Sequence, residues 1–228
     1  RMVKRHLKRE HRFVCLTDDA KGLDKGIEAM PLPEIKVPAH KDHSPWRKLG
    51  LLSKNIHDLK GWALFLDLDV SVMGNLDDLF TYAQKQDKLT IIENWTQPGR
   101  NIGNSSVYAY EIGRYDQVLT NYEKNMEEVF AGWTNEQSYL CQYIHAELGG
   151  LAYWPADWCQ SFKIHCQYPF PLNYLLTPKQ PVSDCRVLVF HGDPKPDEAI
   201  RGGFHGKKWS KKIRKYSKPA PWIAKDYK

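Results

Sequence analysis

Two carboxylates close the most hydrophobic strand-like stretch of this chain, in the order Phe65-Leu66-Asp67-Leu68-Asp69-Val70. In extended backbone, side chains two residues apart point to the same side. Asp67 and Asp69 are therefore expected to share one face at the end of a strand, where α/β sheets place their ligands. Two negative charges held that close repel, and burial sharpens the repulsion. A divalent cation removes the problem, and Mg²⁺ or Mn²⁺ takes carboxylate oxygens while bridging to phosphates. The plainer alternative is a strand that ends in a solvated acidic loop, continued by Asp77 and Asp78.

A second group lies in Val187-Leu188-Val189-Phe190-His191-Gly192-Asp193-Pro194-Lys195-Pro196. A strand delivers His191 at its end. Neutral imidazole is a competent metal ligand, Gly192 lets the backbone approach a phosphate closely, and Lys195 is a point charge for a diphosphate. Taken alone, the segment also reads as a strand followed by a Pro-stiffened turn.

Two reaction classes use a hydrophobic strand followed by D-x-D. One is metal-dependent transfer from a nucleotide sugar. The other is phosphoryl transfer by haloacid-dehalogenase-like phosphatases, which carry D-x-D-x-T/V. Here Ser71 takes the place of Thr or Val, the motif lies well into the chain, and no later acidic pair follows a strand. Nucleotide-sugar transfer is favoured. A phosphatase and a non-catalytic binding protein of the same fold remain as alternatives.

The elements that must position these residues follow from hydrophobic pattern. Residues 1–8 read as two turns of a basic helix and residues 12–16 as a short strand. Residues 46–59 read as a helix, and Trp62–Leu66 as a central strand buried on both faces. Further strands are expected at 89–93, 106–110, 152–154 and 186–190. Helices are expected at 114–129 and 134–147, the latter opened by a capping box with Thr134 as N-cap and Gln137 three residues on. Strands alternate with helices, so the class is α/β with a mixed sheet. A parallel α/β domain normally opens with a strand. None precedes the basic helix, so the first strand is expected to be missing.

The chain has 228 residues, 42% of them hydrophobic and 26% charged, which supports one domain with a real core and excludes a disordered chain. No apolar run approaches the roughly 20 residues of a transmembrane helix, and no secretory signal opens the chain. The five cysteines form no CxxC motif, which suits a reducing compartment. A cytoplasmic protein, peripheral on the membrane, is the expected setting.

The net charge of +6 is unevenly spread. Residues 1–12 hold six bases and one acid; residues 195–228 hold eleven bases and three acids; the stretch between carries a net −7. A domain of residues 1–196 is thus expected to carry the chemistry, with residues 197–228 as a basic tail. Lys207-Lys208-Trp209-Ser210-Lys211-Lys212-Ile213-Arg214-Lys215-Tyr216-Ser217-Lys218, followed by Trp222 and Tyr227, mixes cations and aromatics. That suits an anionic membrane surface better than nucleic acid, and no nucleic-acid partner is expected.

Together these blocks resemble the GT-A nucleotide-sugar glycosyltransferases, and within them the glycogenin-like and bacterial lipopolysaccharide galactosyl- and glucosyltransferases of family 8. The resemblance runs from Phe13 through Trp46-Arg47-Lys48-Leu49, Leu66-Asp67-Leu68-Asp69, Asn104-Ser105-Ser106-Val107, Glu136-Gln137 and His191 to Pro196. It implies a Rossmann-like mixed sheet flanked by helices, acting on a nucleotide-sugar donor and a saccharide or glycolipid acceptor with retention. It further implies Asp67, Asp69 and His191 as ligands of Mn²⁺ or Mg²⁺. Lys48, Asp67, Asn104, Ser105, Gly192 and Lys195 would contact the donor, and Glu136 and Gln137 would lie beside the reacting carbon. Three positions depart from the family pattern: Gly192 follows His191 directly, Glu136 stands for the usual Asp, and Ser106 for a common Gly.

Overall fold

The computed structural model describes residues 1–41, 44–206 and 213–227. The apolar run Trp62–Leu66 forms β3 (Trp62–Leu66), paired antiparallel with β6 (Gly103–Glu111) from Trp62 opposite Glu111 to Leu66 opposite Val107. On its other side β6 pairs antiparallel with β5 (Thr90–Glu93), which pairs parallel with β7 (Ala152–Tyr153). A second sheet has the order β4 (Val70–Val72), β9 (Val187–Val189), β8 (Cys159–Ser161). A parallel pair, β1 (Val14–Leu16) and β2 (Glu28–Met30), completes the sheets.

Several expectations need correction. β3 is not central: every residue in it is half-buried, and among the described residues it pairs only with β6. Its apolar residues reflect contacts on its faces, such as Phe65 stacked on Tyr108 at 4.9 Å, and say nothing of how many edges are paired. Residues 46–59 form no α-helix. Pro45–Leu52 is a 3-10 helix instead. Its buried Trp46, Leu49 and Leu52 recur every three residues, the period of that helix. The helix expected over 114–129 is two, α3 (Asp116–Lys124) and α4 (Met126–Gly132), broken at Asn125. Asn135, rather than Thr134, caps α5 (Glu136–Glu147), accepting the Ser138 N–H at 2.9 Å.

The N-terminal helix α1 (Met2–His6) lies against β4, and its His6 carbonyl accepts the Leu76 N–H at 2.8 Å, just before α2 (Asp77–Gln86). The Asp77 carboxylate accepts the backbone N–H groups of Lys8 at 2.9 Å and Arg9 at 3.0 Å, and Asp78 pairs with Arg186 at 3.1 Å. These two acids are structural, not a solvated continuation of the D-x-D turn.

Among the described residues, three apolar clusters fill the interior. One packs Trp46, Tyr108, Tyr122 and Tyr139 between β5, β6 and the helices; one packs β4 and α2 against Trp154. The third joins Phe162, Leu188 and Phe190 to Ala199 of α6 (Pro196–Arg201) and to Ala220 and Ile223. The segment expected as a tail therefore returns to the core. Trp222 donates its indole N–H to the Pro178 carbonyl at 3.1 Å and packs with Tyr227, of α7 (Ala224–Tyr227), against the same cluster. Both are partly buried there. Residues 207–212 and Lys228 lie outside the described residues. Among the described residues no helix is long and apolar enough to cross a membrane. The five cysteines are free thiols, and burial pushes that of Cys141 up to about 12.

Gly203 and Ser217 exchange backbone hydrogen bonds, and the buried His205 ring nitrogen lies 2.9 Å from the Ser217 hydroxyl. Burial holds the His205 imidazole below its ordinary value of 6.5. The unfolded chain therefore binds the proton first as pH falls below 6.5, and stability drops until the folded-state value is passed. His205→Gln is expected to flatten this acid slope, by at most about 1.4 kcal/mol per pH unit. Urea unfolding at pH 7.5 and at lower pH values checks this; an unchanged slope would show that His205 is solvated.

Candidate active site

The D-x-D turn joins the two larger sheets. β3 ends at Leu66, yet the Asp67 N–H still donates to the Ser106 carbonyl of β6 at 2.9 Å. Two residues on, the Asp69 carbonyl accepts the Phe190 N–H at 3.0 Å, next to β9. Each aspartate is thus pinned to a different sheet. Leu68 at the apex is 93% exposed.

Each carboxylate is neutralised by its own lysine. Lys48, from the 3-10 helix, places Nζ at 2.7 and 2.9 Å from the two Asp67 oxygens. Lys195, the N-cap of α6, places Nζ 2.6 Å from Asp69. The short loop from His191 therefore brings Lys195 to the D-x-D turn. Gly192 adopts φ +82°, a backbone conformation that other residues strain to reach.

A bulge delivers the next group. The β5–β6 register jumps from Ile91 opposite Tyr108 to Ile92 opposite Asn104, so residues 105–107 leave that ladder. Asn104 Oδ1 accepts the Ser106 N–H at 3.1 Å and holds the bulge. Ser105 then bonds three ways. Its hydroxyl donates to Glu136 at 2.8 Å, its N–H donates to Gln137 Oε1 at 3.2 Å, and its carbonyl faces Lys48 Nζ at 3.4 Å. Helix α5 can come this close because Gly103 has no Cβ: one would meet Ile91 at 2.7 Å and the Cys141 sulfur at 3.0 Å.

Because Asn135 takes the capping role, Gln137 is not a cap and is available to the site. Its Oε1 is occupied by Ser105; its amide nitrogen has no protein partner among the described residues. Glu136 is only 4% exposed and lies behind Ser105. As placed, it orients Ser105.

His191 follows β9 and lies over Trp95, the rings stacked at 5.4 Å and 17°. Its Nε2 is 2.8 Å from the Ser161 hydroxyl. Burial, aided by the positive charge of Lys163, pushes the His191 imidazole below 6.5. The ring is neutral at pH 7 and keeps a lone pair. His165 meets the other partners of this corner, the Ser161 backbone at 2.9 Å and the Trp95 ring at 5.9 Å. A cavity of about 210 Å³ opens beside it, lined by Trp95, Trp154, Pro155, Ile164 and His165 among others. Trp95, Ser161 and His165 were not singled out in the sequence. Trp95 sits in a Gly/Asn/Pro-rich loop, and the other two belong to no motif.

The expected site residues thus fall into two connected groups. Lys48, Asp67, Ser105, Glu136 and Gln137 form one hydrogen-bonded network, flanked by Asn104. Asp69 and Lys195 form the other, with His191 and Gly192 on the same loop. Two carboxylates and a neutral imidazole have the donor chemistry of a Mn²⁺ or Mg²⁺ site. The two ammonium groups stand as cations against the carboxylates. No three His, Cys, Asp or Glu side chains are placed as a ready metal cluster among the described residues.

No protein-family profile and no curated protein matches the chain. Solved structures do. The galactosyltransferase LgtC in complex with donor and acceptor sugar analogs matches with a TM-score of 0.53 at 16% identity, over 82% of this chain and 79% of that one. An active-site mutant of LgtC matches with the same TM-score at 15% identity, over 82% and 79% of the two chains. The fold is GT-A, the mixed α/β architecture of LgtC, a family 8 galactosyltransferase.

The Lys48–Asp67 pair is about three-quarters buried. Lys48→Met leaves the carboxylate without its counter-charge, which is expected to cost about 1–2 kcal/mol of stability. Adding Asp67→Asn should recover most of that loss. A urea-unfolding double-mutant cycle measures the coupling; a coupling of zero would show that the ammonium has other partners.

Proposed function

We propose that this chain is a glycosyltransferase that moves a hexose from a nucleotide-diphosphate sugar, a UDP-sugar, to a saccharide or lipid-linked acceptor with retention of configuration. The support is the pair of aspartates at the sheet junction of a GT-A fold, each held by a separate lysine. Asp67, Asp69 and His191 would hold Mn²⁺ or Mg²⁺, which when bound supplies positive charge to the donor diphosphate.

The chain's own residues supply the rest. The acceptor hydroxyl oxygen bonds to the anomeric carbon as the sugar–phosphate bond breaks; the electron pair of the broken bond passes to the diphosphate oxygen, and that oxygen takes up the hydroxyl proton. Lys48 and Lys195 are cations already stationed beside the site, and either can exchange a carboxylate partner for a phosphate oxygen without creating a new charge. Charge that grows on the leaving group is stabilised more in the transition state than in the ground state, which raises the rate. Asn104 and Ser105 would face the donor sugar. The free amide of Gln137 would serve the reacting centre, with Glu136 holding Ser105 and hence Gln137 in place. The cavity beside Trp95 offers flat aromatic faces and the polar edge of His165, which suit a pyranose acceptor.

Incubation with a panel of UDP-hexoses, Mn²⁺ and saccharide acceptors is expected to release UDP and form a glycosylated product. Asp69→Asn is expected to lower turnover by about a thousandfold or more while leaving the fold intact. Release of inorganic phosphate from sugar phosphates instead would assign a phosphatase. Binding of UDP without turnover would assign a non-catalytic protein.

A second measurement needs no activity. Lys195 competes with any cation for Asp69, so Lys195→Met is expected to tighten Mn²⁺ binding in the absence of nucleotide by about tenfold. Titration of Mn²⁺ by calorimetry decides; unchanged or weaker binding would remove Asp69 from the metal site.

A further inference from the structure

The segment after β8 carries an exposed apolar surface that neither the fold nor the proposed chemistry uses. Phe170, Leu172, Leu175 and Leu176 lie within seven residues, and Phe204 joins them; each is between 41% and 68% exposed. Isolated exposed apolar residues are ordinary, but a contiguous group is not.

The group is contiguous and rigidly backed. Residues 172–176 are wound into a tight turn, with the Leu175 and Leu176 N–H groups donating to the Leu172 carbonyl at 3.0 and 2.9 Å. Tyr174 is the hub: its ring lies 6.1 Å from Phe170, 6.3 Å from Phe204 and 4.5 Å from Tyr216. Its hydroxyl donates to the Ile213 carbonyl at 2.9 Å. The buried Asn173 ties the turn to the Tyr216 carbonyl at 2.7 Å. The leucines are therefore held outward by structure on their inner side.

Cations predominate around the group; the acids on its Phe204 side are Glu198 and Asp193, which face His205, and Asp193 is paired with Lys215 at 3.1 Å. No Asp or Glu occurs between Asp157 and Asp184, while Lys163 and Lys179 do. Lys218 donates its ammonium to the Leu175 carbonyl at 2.8 Å, and the exposed Arg214 follows the strand of chain that backs Tyr174. Leucine and phenylalanine side chains projecting from a tyrosine-backed turn, bordered by Lys and Arg, match what inserts at a lipid headgroup boundary. The cations favour anionic lipid.

We propose that this surface, centred on Leu172–Leu176 and Phe204, docks on an anionic membrane. The contact is thus placed on the turn after β8, and not on Trp222 and Tyr227, which the core holds. Ile164 and His165 of the cavity beside Trp95 lie on the same stretch of chain, six and five residues before Phe170. On the transferase reading above, a lipid-linked acceptor would be presented close to the donor site; the membrane contact itself does not depend on that reading.

Co-sedimentation of the full chain with phosphatidylglycerol/phosphatidylcholine vesicles tests the proposal. Binding is expected to anionic vesicles, weaker by about tenfold or more on pure phosphatidylcholine. Leu175→Asp is expected to weaken binding to anionic vesicles about tenfold, and Phe204→Ser to do likewise, with unchanged far-UV circular dichroism. Leu175→Trp should retain binding. Asp69→Asn should bind vesicles as the parent does, and Leu175→Asp should transfer sugar to a soluble acceptor as the parent does. Those two controls separate failure of this proposal from failure of the transferase assignment. Equal binding to neutral vesicles, or full binding by Leu175→Asp, overturns the proposal. Self-association that Leu175→Asp abolishes, without vesicle binding, would assign the patch to a second copy of the chain and overturn it equally.

Discussion

Two like charges at one sheet junction are the constraint on which this structure turns. Asp67 is pinned through its N–H to β6 and Asp69 through its carbonyl to the strand that leads into His191. Both carboxylates are fixed before any ligand arrives, and neither can relax far from the other. Their repulsion must be met by cations, and the fold brings two from opposite sides: Lys48 from the 3-10 helix and Lys195 from the start of α6. Because these ammonium groups are also the natural partners of a diphosphate, one arrangement serves both the resting fold and the proposed chemistry.

The same constraint reaches the helical side through Ser105. A bulge in β6 frees the serine from the β5 ladder, and its hydroxyl, N–H and carbonyl then meet Glu136, Gln137 and Lys48. The bulge depends on Asn104, and the close seat of α5 depends on the missing side chain of Gly103. A one-residue shift in the helix cap, to Asn135, is what releases Gln137 from a purely structural task. The exposed apolar turn beyond β8 is built on the same logic of anchoring from within. Asn173 and Tyr174 bond to the returning C-terminal segment, and the leucines are left outside.

The first chemistry was legible in residue type and spacing. A hydrophobic run ending in Asp67 and Asp69, and a later one ending in His191-Gly192, could be found without coordinates, because strand burial and like-charge repulsion leave a mark on sequence. Lys48, Asn104, Ser105 and the Glu136–Gln137 pair carried no such mark of their own. They stood out only through resemblance to a family, and the structure then gave each a partner. Trp95, Ser161 and His165 were invisible, since a stacking ring and a hydroxyl at a sheet end have no periodicity. The return of the C-terminal segment to the core left no mark either. Trp222 and Tyr227 look like interfacial aromatics by composition, but composition does not record which residues the chain folds back onto Phe162 and Phe190.

By itself the sequence determined the α/β class, the strands that hold the acidic turn and the histidine, and the separation of an acidic middle from basic ends. These follow from local pattern and net charge, which need no knowledge of long-range contacts. Tertiary structure alone decided that β3 is an edge strand among the described residues, that each aspartate has a different lysine, that Glu136 lies behind Ser105, and that the exposed apolar surface sits at Leu172–Leu176. Each of those depends on contacts between residues far apart in the chain, up to 126 positions for Lys195 and Asp69. Hydrophobic pattern and residue type fix no such pairing, because many long-range partners satisfy the same local preference.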